Sequence, residues 1–245
     1  MTEPILEVQN VTKRFHGLVA ISHVSFTLAH NEILGLIGPN GAGKTTIVSL
    51  ISGTIEPTAG SIVFEGSRID ELPPYRRGLL GIARTFQIMR PFPGLTVLDN
   101  VAVGALFGAA DGSRALADAQ NQAQRWLEFV GLAKRAQQRA DSLGGPDRKR
   151  LEVAKALAMR PKLLLLDEVM AGLNHVEIEE VIDVIKKVRD QGITIIVIEH
   201  VMKAIQSLSD RLLVLHHGEK IAEGKPDEVL RNEQVVTAYL GSKRA

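Results

Sequence analysis

No cysteine occurs anywhere in the 245 residues. That excludes disulfides and thiolate metal sites, and it suits a reducing compartment. An excess of charge of one sign is missing too: 29 Lys and Arg stand against 28 Asp and Glu, a net charge of +1. Bulk electrostatics therefore give no sign of a nucleic-acid binder. The first residues, Met1-Thr2-Glu3-Pro4-Ile5-Leu6-Glu7-Val8, show no basic region followed by an apolar run, so no signal peptide is expected. No apolar run reaches the roughly 18 residues that a spanning helix needs. The longest strongly apolar stretches, such as 163–166 and 193–198, have the length of strands. If the protein works at a membrane, another chain must do the spanning. Internal repeats and low-complexity tracts are also lacking.

What is present is an ordinary globular composition, long enough for one large domain or one domain with an inserted lobe. Short apolar runs predict strands at 5–8, 24–28, 33–37, 61–64, 82–86, 163–167, 193–198, 211–215 and 220–223. Those at 33–37, 163–167 and 193–198 are almost wholly apolar, as parallel strands buried on both faces are. Helical periodicity runs through 176–189, with Val176, Ile178, Val181, Ile182, Ile185 and Val188, and through 201–208. Residues 96–107, 114–130 and 148–159 also read as helices, and 109–113 as a loop. No strand is expected between 96 and 159. The pattern predicts an α/β core with a helical lobe inserted in it.

The strongest chemical signal is Gly38-Pro39-Asn40-Gly41-Ala42-Gly43-Lys44-Thr45-Thr46. It fits the phosphate-binding pattern G-x-x-x-x-G-K-[ST] and lies between a buried strand and a helical run. Glycines let the backbone curl and aim successive N–H groups inward, and the helix N-terminus adds partial positive charge. Lys44 can reach the β- and γ-phosphates, and the Thr45 hydroxyl can bind the magnesium that accompanies a nucleotide. The second signal is Leu163-Leu164-Leu165-Leu166-Asp167-Glu168, a buried strand ending in two carboxylates where α/β sheets place ligands. Alternation sends the two acids in different directions. Asp167 is assigned to the metal and Glu168 to the attacking water.

With these motifs the chain resembles, over essentially its full length, the ATP-binding subunits of ABC transporters. Residues 34–46 match that family's phosphate loop almost letter for letter; Ile82-Ala83-Arg84-Thr85-Phe86-Gln87 resembles the segment ending in its glutamine loop. Ala171-Gly172-Leu173-Asn174 looks like its D-loop, and Val197-Ile198-Glu199-His200 like its histidine switch. Val169 stands where a proline is usual and Asn174 where an aspartate is common. The resemblance implies a P-loop NTPase fold: a mainly parallel sheet, an N-terminal antiparallel β portion and an inserted helical subdomain. It implies one nucleotide-binding domain over 1–245, with a core of 1–87 and 160–245 and a helical subdomain of 88–159. It implies ATP and Mg2+ as ligands, and Phe15 stacked on adenine. Lys44, Glu168, His200 and Gln87 become the catalytic set, and Thr45, Gln87 and Asp167 the metal ligands. Thr96-Val97-Leu98-Asp99-Asn100-Val101, Glu223-Gly224-Lys225-Pro226 and Ala238-Tyr239-Leu240-Gly241 resemble the branched-chain amino-acid importer subfamily. That subfamily's ATPases also serve other hydrophobic amino acids, amides and urea.

One stretch departs from the family. Its signature, L-S-G-G-Q, faces the γ-phosphate bound to a partner subunit. Here an ungapped alignment places Leu143-Gly144-Gly145-Pro146-Asp147 there. Gly144 has no hydroxyl, Pro146 no N–H, and Asp147 either brings negative charge or caps the helix. A one-residue shift would let Ser142 supply the hydroxyl, and the register stays open. Arg148, Lys149 and Arg150 read as a solvated basic face. The implied partners are a second ABC ATPase subunit in a heterodimer, membrane permease subunits and, indirectly, a substrate-binding protein, with no nucleic acid. The implied place is the cytoplasmic face of a membrane. Rival readings are a soluble ABC-type ATPase uncoupled from transport, a different phosphate-loop enzyme, and a regulatory subunit without turnover.

Overall fold

The computed structural model describes residues 3–85, 91–108 and 115–240. In chain order it begins with β1 (Leu6–Phe15), β2 (Leu18–Leu28), β3 (Ile33–Ile37), α1 (Lys44–Ser52), β4 (Ala59–Phe64), β5 (Ser67–Arg68) and α2 (Pro74–Leu80). There follow β6 (Ile82–Arg84), α3 (Val97–Phe107), α4 (Leu116–Phe129) and α5 (Gly145–Ala158), with short 3-10 turns at Ala133–Arg135 and Ala140–Ser142. The chain continues through β7 (Leu163–Asp167), α6 (His175–Asp190), β8 (Thr194–Ile198) and α7 (Met202–Leu208). It finishes with β9 (Arg211–His216), β10 (Glu219–Gly224), α8 (Pro226–Leu230) and α9 (Glu233–Leu240). Contacts divide it into two units, Met1–Pro74 with Thr194–Ala245, and Tyr75–Ile193.

In the first unit β1 lies between β2 and β4, antiparallel to both, and β5 pairs with β4. β3 runs parallel to β8 on one side and β9 on the other, and β10 turns back antiparallel along β9. β3 and β8 are buried at every residue, which is why they read as unbroken apolar runs. The first two strands are far longer than the runs at 5–8 and 24–28 predict. Their register slips between Val8 and Val11, Val11 and Lys13, and Lys13 and Arg14. Asn10 and His23 adopt positive φ, 52° and 51°, at these irregularities. Each bulge resets the two-residue alternation, so no single period spans the strand.

In the second unit β6 and β7 pair in parallel, with Arg84 beside Leu165. α3 packs on α4 and α5. The Thr96 hydroxyl caps α3 by accepting from the Asp99 N–H at 3.0 Å and donates to Asp99 Oδ2 at 2.7 Å. Asn174 caps α6 in a reciprocal box: its Oδ1 accepts from Glu177 N–H at 3.0 Å, and the Glu177 carboxylate accepts from Asn174 N–H at 2.8 Å. Ile178, Val181, Ile182, Ile185 and Val188 form the buried stripe of α6, the periodicity seen in the sequence. α5 starts at Gly145, three residues earlier than the apolar pattern predicts, because Pro146 is well placed in a first helical turn. Short α2, α8 and α9 carry too little periodicity to have been foreseen. Among the described residues no helix is long and apolar enough to cross a membrane.

Candidate functional site

The first unit carries the glycine-rich loop between β3 and α1, as its sequence requires. Gly38 has φ +149°, and a Cβ there would lie 2.1 Å from the Leu215 carbonyl oxygen. Gly43, at φ +105°, would drive a Cβ to 2.6 Å from Ile21 Cδ1. Only glycine fits at either position. Between them the Ala42 N–H donates to the Pro39 carbonyl at 3.1 Å, tightening the curl. No side chain caps α1, so its N-terminal amides and partial positive charge are left to the loop. Lys44 is buried, and its ammonium donates to the carbonyls of Gly38 at 2.7 Å and Pro39 at 3.0 Å. Thr45 is exposed and Thr46 half-buried. Phe15, 42% exposed, ends β1 and pairs with Leu18 of β2. The same strand β2 supplies Ala20 and Ile21, which lie against Gly43. Lys13 Nζ sits 5.1 Å from the Phe15 ring centre. His200 follows β8 and is exposed, and its neighbour Glu199 is buried.

The second unit carries the acid pair. β7 is buried throughout, and Asp167, its last residue, is 2% exposed. Arg84 Nη2 donates to Asp167 Oδ2 at 2.9 Å, and the Asp167 N–H donates to Thr85 Oγ1 at 3.2 Å. Neither Arg84 nor Thr85 was singled out in the sequence; their only signal is a place just before Gln87. Gln87 itself lies outside the described residues. Among the described residues, Oδ1 of Asp167 is buried with no hydrogen-bond partner. An orphaned anionic oxygen of that kind suits a cation or a water. Among the described residues no cluster of three or more His, Asp or Glu could hold a metal. Glu168 is half-buried and holds φ at 55°, a left-handed backbone that costs a side-chain-bearing residue about 1–2 kcal/mol.

The signature stretch also lies in the second unit. Gly144 caps α5 and is exposed with Gly145. Leu143 is buried, whereas Ser142 sits in the preceding 3-10 turn, its hydroxyl donating to the Arg139 carbonyl at 2.7 Å. Asp147, in the first turn of α5, is 3.1 Å from Arg135 Nε and 4.0 Å from Arg150 Nη1. The three bases after it are not a solvated face. All are half-buried: Arg148 donates to the Asp141 carbonyl at 2.7 Å, Lys149 to the Ala171 carbonyl, and Arg150 pairs with Glu180. Packing against neighbouring loops and α6 draws their heads inward. Asn174 Oδ1 is likewise occupied, in capping α6.

Loop, acid pair and histidine occur in the order of a nucleotide-hydrolysing cassette, and residues 21–171, more than half the chain, match the family model described as ABC transporter. The chain belongs to the ABC transporter family. It is an ABC ATPase with a mixed α/β fold. A second model, described as Branched-chain amino acid ATP-binding cassette transporter, matches residues 219–245. Among its curated relatives is the high-affinity branched-chain amino acid transport ATP-binding protein LivG of Salmonella typhimurium, 38% identical over 98% of this chain and 99% of its own. BraF of Pseudomonas aeruginosa, of the same description, is 37% identical over 98% and 99%. A solved nucleotide-free ATP-binding cassette from an ABC transporter superposes with a TM-score of 0.88 at 28% identity, covering 98% of this chain and all of that one. A dimeric cassette in a post-hydrolysis state, bound to ADP and Pi, gives 0.82 at 25% identity over 90% and 98%.

Proposed function

We propose that this ABC ATPase energises the uptake of branched-chain or other hydrophobic amino acids, or related amides, through separate membrane permease subunits. The observation that carries the substrate class is the match of residues 219–245 to a branched-chain amino acid transporter model, alongside relatives of that description. The chain would sit at the cytoplasmic face of the membrane, held by its permeases. A suitable surface exists on the second unit. Tyr75 is 66% and Phe107 74% exposed, and Gly78 of α2 and Gly108 at the end of α3 both lie against Met159. Large exposed apolar side chains such as these are what a partner helix covers.

The triphosphate enters the loop 38–46, where amides and the α1 N-terminus meet it. Lys44 exchanges the Gly38 and Pro39 carbonyls for phosphate oxygens, and Phe15 stacks on adenine. Thr45, Gln87 and Asp167 would hold magnesium, which neutralises charge on the phosphates when bound. Glu168 orients water for in-line attack, and His200 and Lys44 stabilise charge on the γ-phosphoryl group.

Two such subunits pair, each signature facing the other's nucleotide, and a related cassette solved as a dimer supports that arrangement. This chain presents a weak signature. Gly144 brings no hydroxyl and Pro146 no N–H, Ser142 is committed to Arg139, and Asp147 to Arg135 and Arg150. One lost oxyanion donor costs roughly 3–4 kcal/mol. The partner's nucleotide thus turns over slowly, whereas the nucleotide in this chain's loop turns over against the partner's intact signature, and the pair is a heterodimer.

Reconstitution in vesicles with co-purified permeases and a binding protein tests the reading. ATP-dependent leucine uptake that Lys44→Ala abolishes supports it; a complex without permeases, or turnover indifferent to every hydrophobic amino acid, defeats it. Glu168→Gln should remove most hydrolysis and the equivalent change in the partner little. Equal effects would refute the asymmetry.

A further inference from the structure

The hydrolytic scheme gives Lys13 no role, yet its ammonium stands over the ring that would stack on adenine. Phe15 ends β1 opposite Leu18 of β2, and Phe15, Leu18 and Val19 all lie exposed at the tip of that hairpin. The same hairpin meets the glycine loop, where Ala20 and Ile21 lie against Gly43. A half-exposed ring at a hairpin tip turns easily unless something holds it. Lys13 Nζ is 5.1 Å from the Phe15 ring centre and donates to the Glu56 carbonyl at 2.8 Å. The segment that carries this carbonyl is itself fixed. Two residues on, the Thr58 N–H donates to the Thr12 carbonyl at 2.8 Å, and Thr58 Oγ1 accepts from the Arg14 N–H at 3.0 Å. The chain before β4 is thus stitched to both neighbours of Lys13.

The backbone of β1 helps to aim the lysine. Its register against β2 slips between Val11 and Lys13 and again between Lys13 and Arg14, and such irregularities re-aim a side chain. Lys13 is half-buried, so its stem packs while its head reaches the ring and the Glu56 carbonyl. We infer that Lys13 is a positioning residue for the nucleotide base: its tethered ammonium covers one face of Phe15 and pins the ring, leaving the opposite face for adenine. The attraction is that of a cation for the negative face of an aromatic ring. A ring already held in place loses less freedom when a base stacks on it. Charge and tether are what the role requires, so arginine can serve at this position and methionine cannot.

The inference rests on the reading that Phe15 stacks on the base, and one experiment separates the two. Mg-ATP affinity and steady-state hydrolysis are measured for the full chain with its partner subunits, as wild type, Lys13→Met, Lys13→Arg, Phe15→Leu and the double variant Lys13→Met/Phe15→Leu. Inhibition by magnesium tripolyphosphate, which has no base, is measured beside them. Lys13→Met should raise Kd and KM for ATP roughly 2- to 5-fold, the size of an exposed cation–π interaction, with kcat and the tripolyphosphate inhibition constant unchanged. Lys13→Arg should restore most of the affinity. In the Phe15→Leu background Lys13→Met should add no further loss, because the ring through which it acts is gone. Unchanged Kd in Lys13→Met, additive losses in the double variant, or a fall in kcat at constant KM would overturn the inference. So would an equal loss for tripolyphosphate, which would place the charge on the phosphates. ATP affinity unmoved by Phe15→Leu would instead overturn the stacking reading, and the inference with it.

Discussion

Replacing Arg84 by methionine is the sharpest probe of the acid site. Arg84 and Asp167 are buried together, with side-chain exposures of 9% and 2%, and their heads are 2.9 Å apart. Methionine fills much of the arginine's volume but leaves the Asp167 carboxylate at the end of a fully buried strand, with Oδ1 already lacking a hydrogen bond among the described residues. Stranding one member of a buried pair typically costs about 3–5 kcal/mol. In a protein of this size each kcal/mol moves the melting temperature by roughly 2–4 °C, so Arg84→Met should lower it by about 6–20 °C. Thermal denaturation at neutral pH measures this directly. The double variant Arg84→Met/Asp167→Asn removes the stranded charge and should recover most of the loss, a coupling that a double-mutant cycle isolates. Its hydrolysis should stay low, because the proposed scheme gives Asp167 to the metal as well as to the fold. A single-variant loss below about 3 °C, or a double variant no more stable than the single, would refute the argument.

Glu168→Gly should be more stable than Glu168→Ala by about 1 kcal/mol, because alanine keeps the left-handed penalty at φ 55° and glycine does not; both should lack hydrolysis, and equal denaturation midpoints would count against the strain. Burial pushes the Asp70 carboxyl up, but hydrogen bonds from Arg68 and the Ile62 N–H pull it further down, leaving it below its ordinary value. A depressed folded value stabilises above the unfolded value, near pH 4, and that share is lost as pH falls through the folded value. Asp70→Asn should flatten this acid limb in a stability-versus-pH series, and an unaltered limb would contradict it. Tyr75→Lys with Phe107→Asp should abolish permease capture and substrate-stimulated turnover while leaving basal ATPase near wild type; normal capture by this variant would remove the surface from consideration.

The phosphate loop, the acid-tipped strand and most long helices were legible because each depends on neighbours within about ten positions. A buried parallel strand is apolar throughout, and a loop that grips phosphate needs glycines at fixed offsets. Bulged β1 and β2 were readable only in part, since each slip of register erases the alternation that would reveal them. Short α2 and α9 offered no period to detect.

Sequence alone determined which chemistry the chain can perform: the order of glycine loop, acid pair and histidine is set by residue identity, and backbone stereochemistry does the rest. Tertiary structure decided which partners hold those groups. Arg84 meets Asp167 across 83 positions, Lys149 reaches the turn at Ala171, and Gly218 donates to the Ala42 carbonyl of the glycine loop from near the far end of the chain. Such contacts leave no local mark, because a hydrogen bond between distant segments depends on where packed sheets and helices bring them and not on the residues that flank either one.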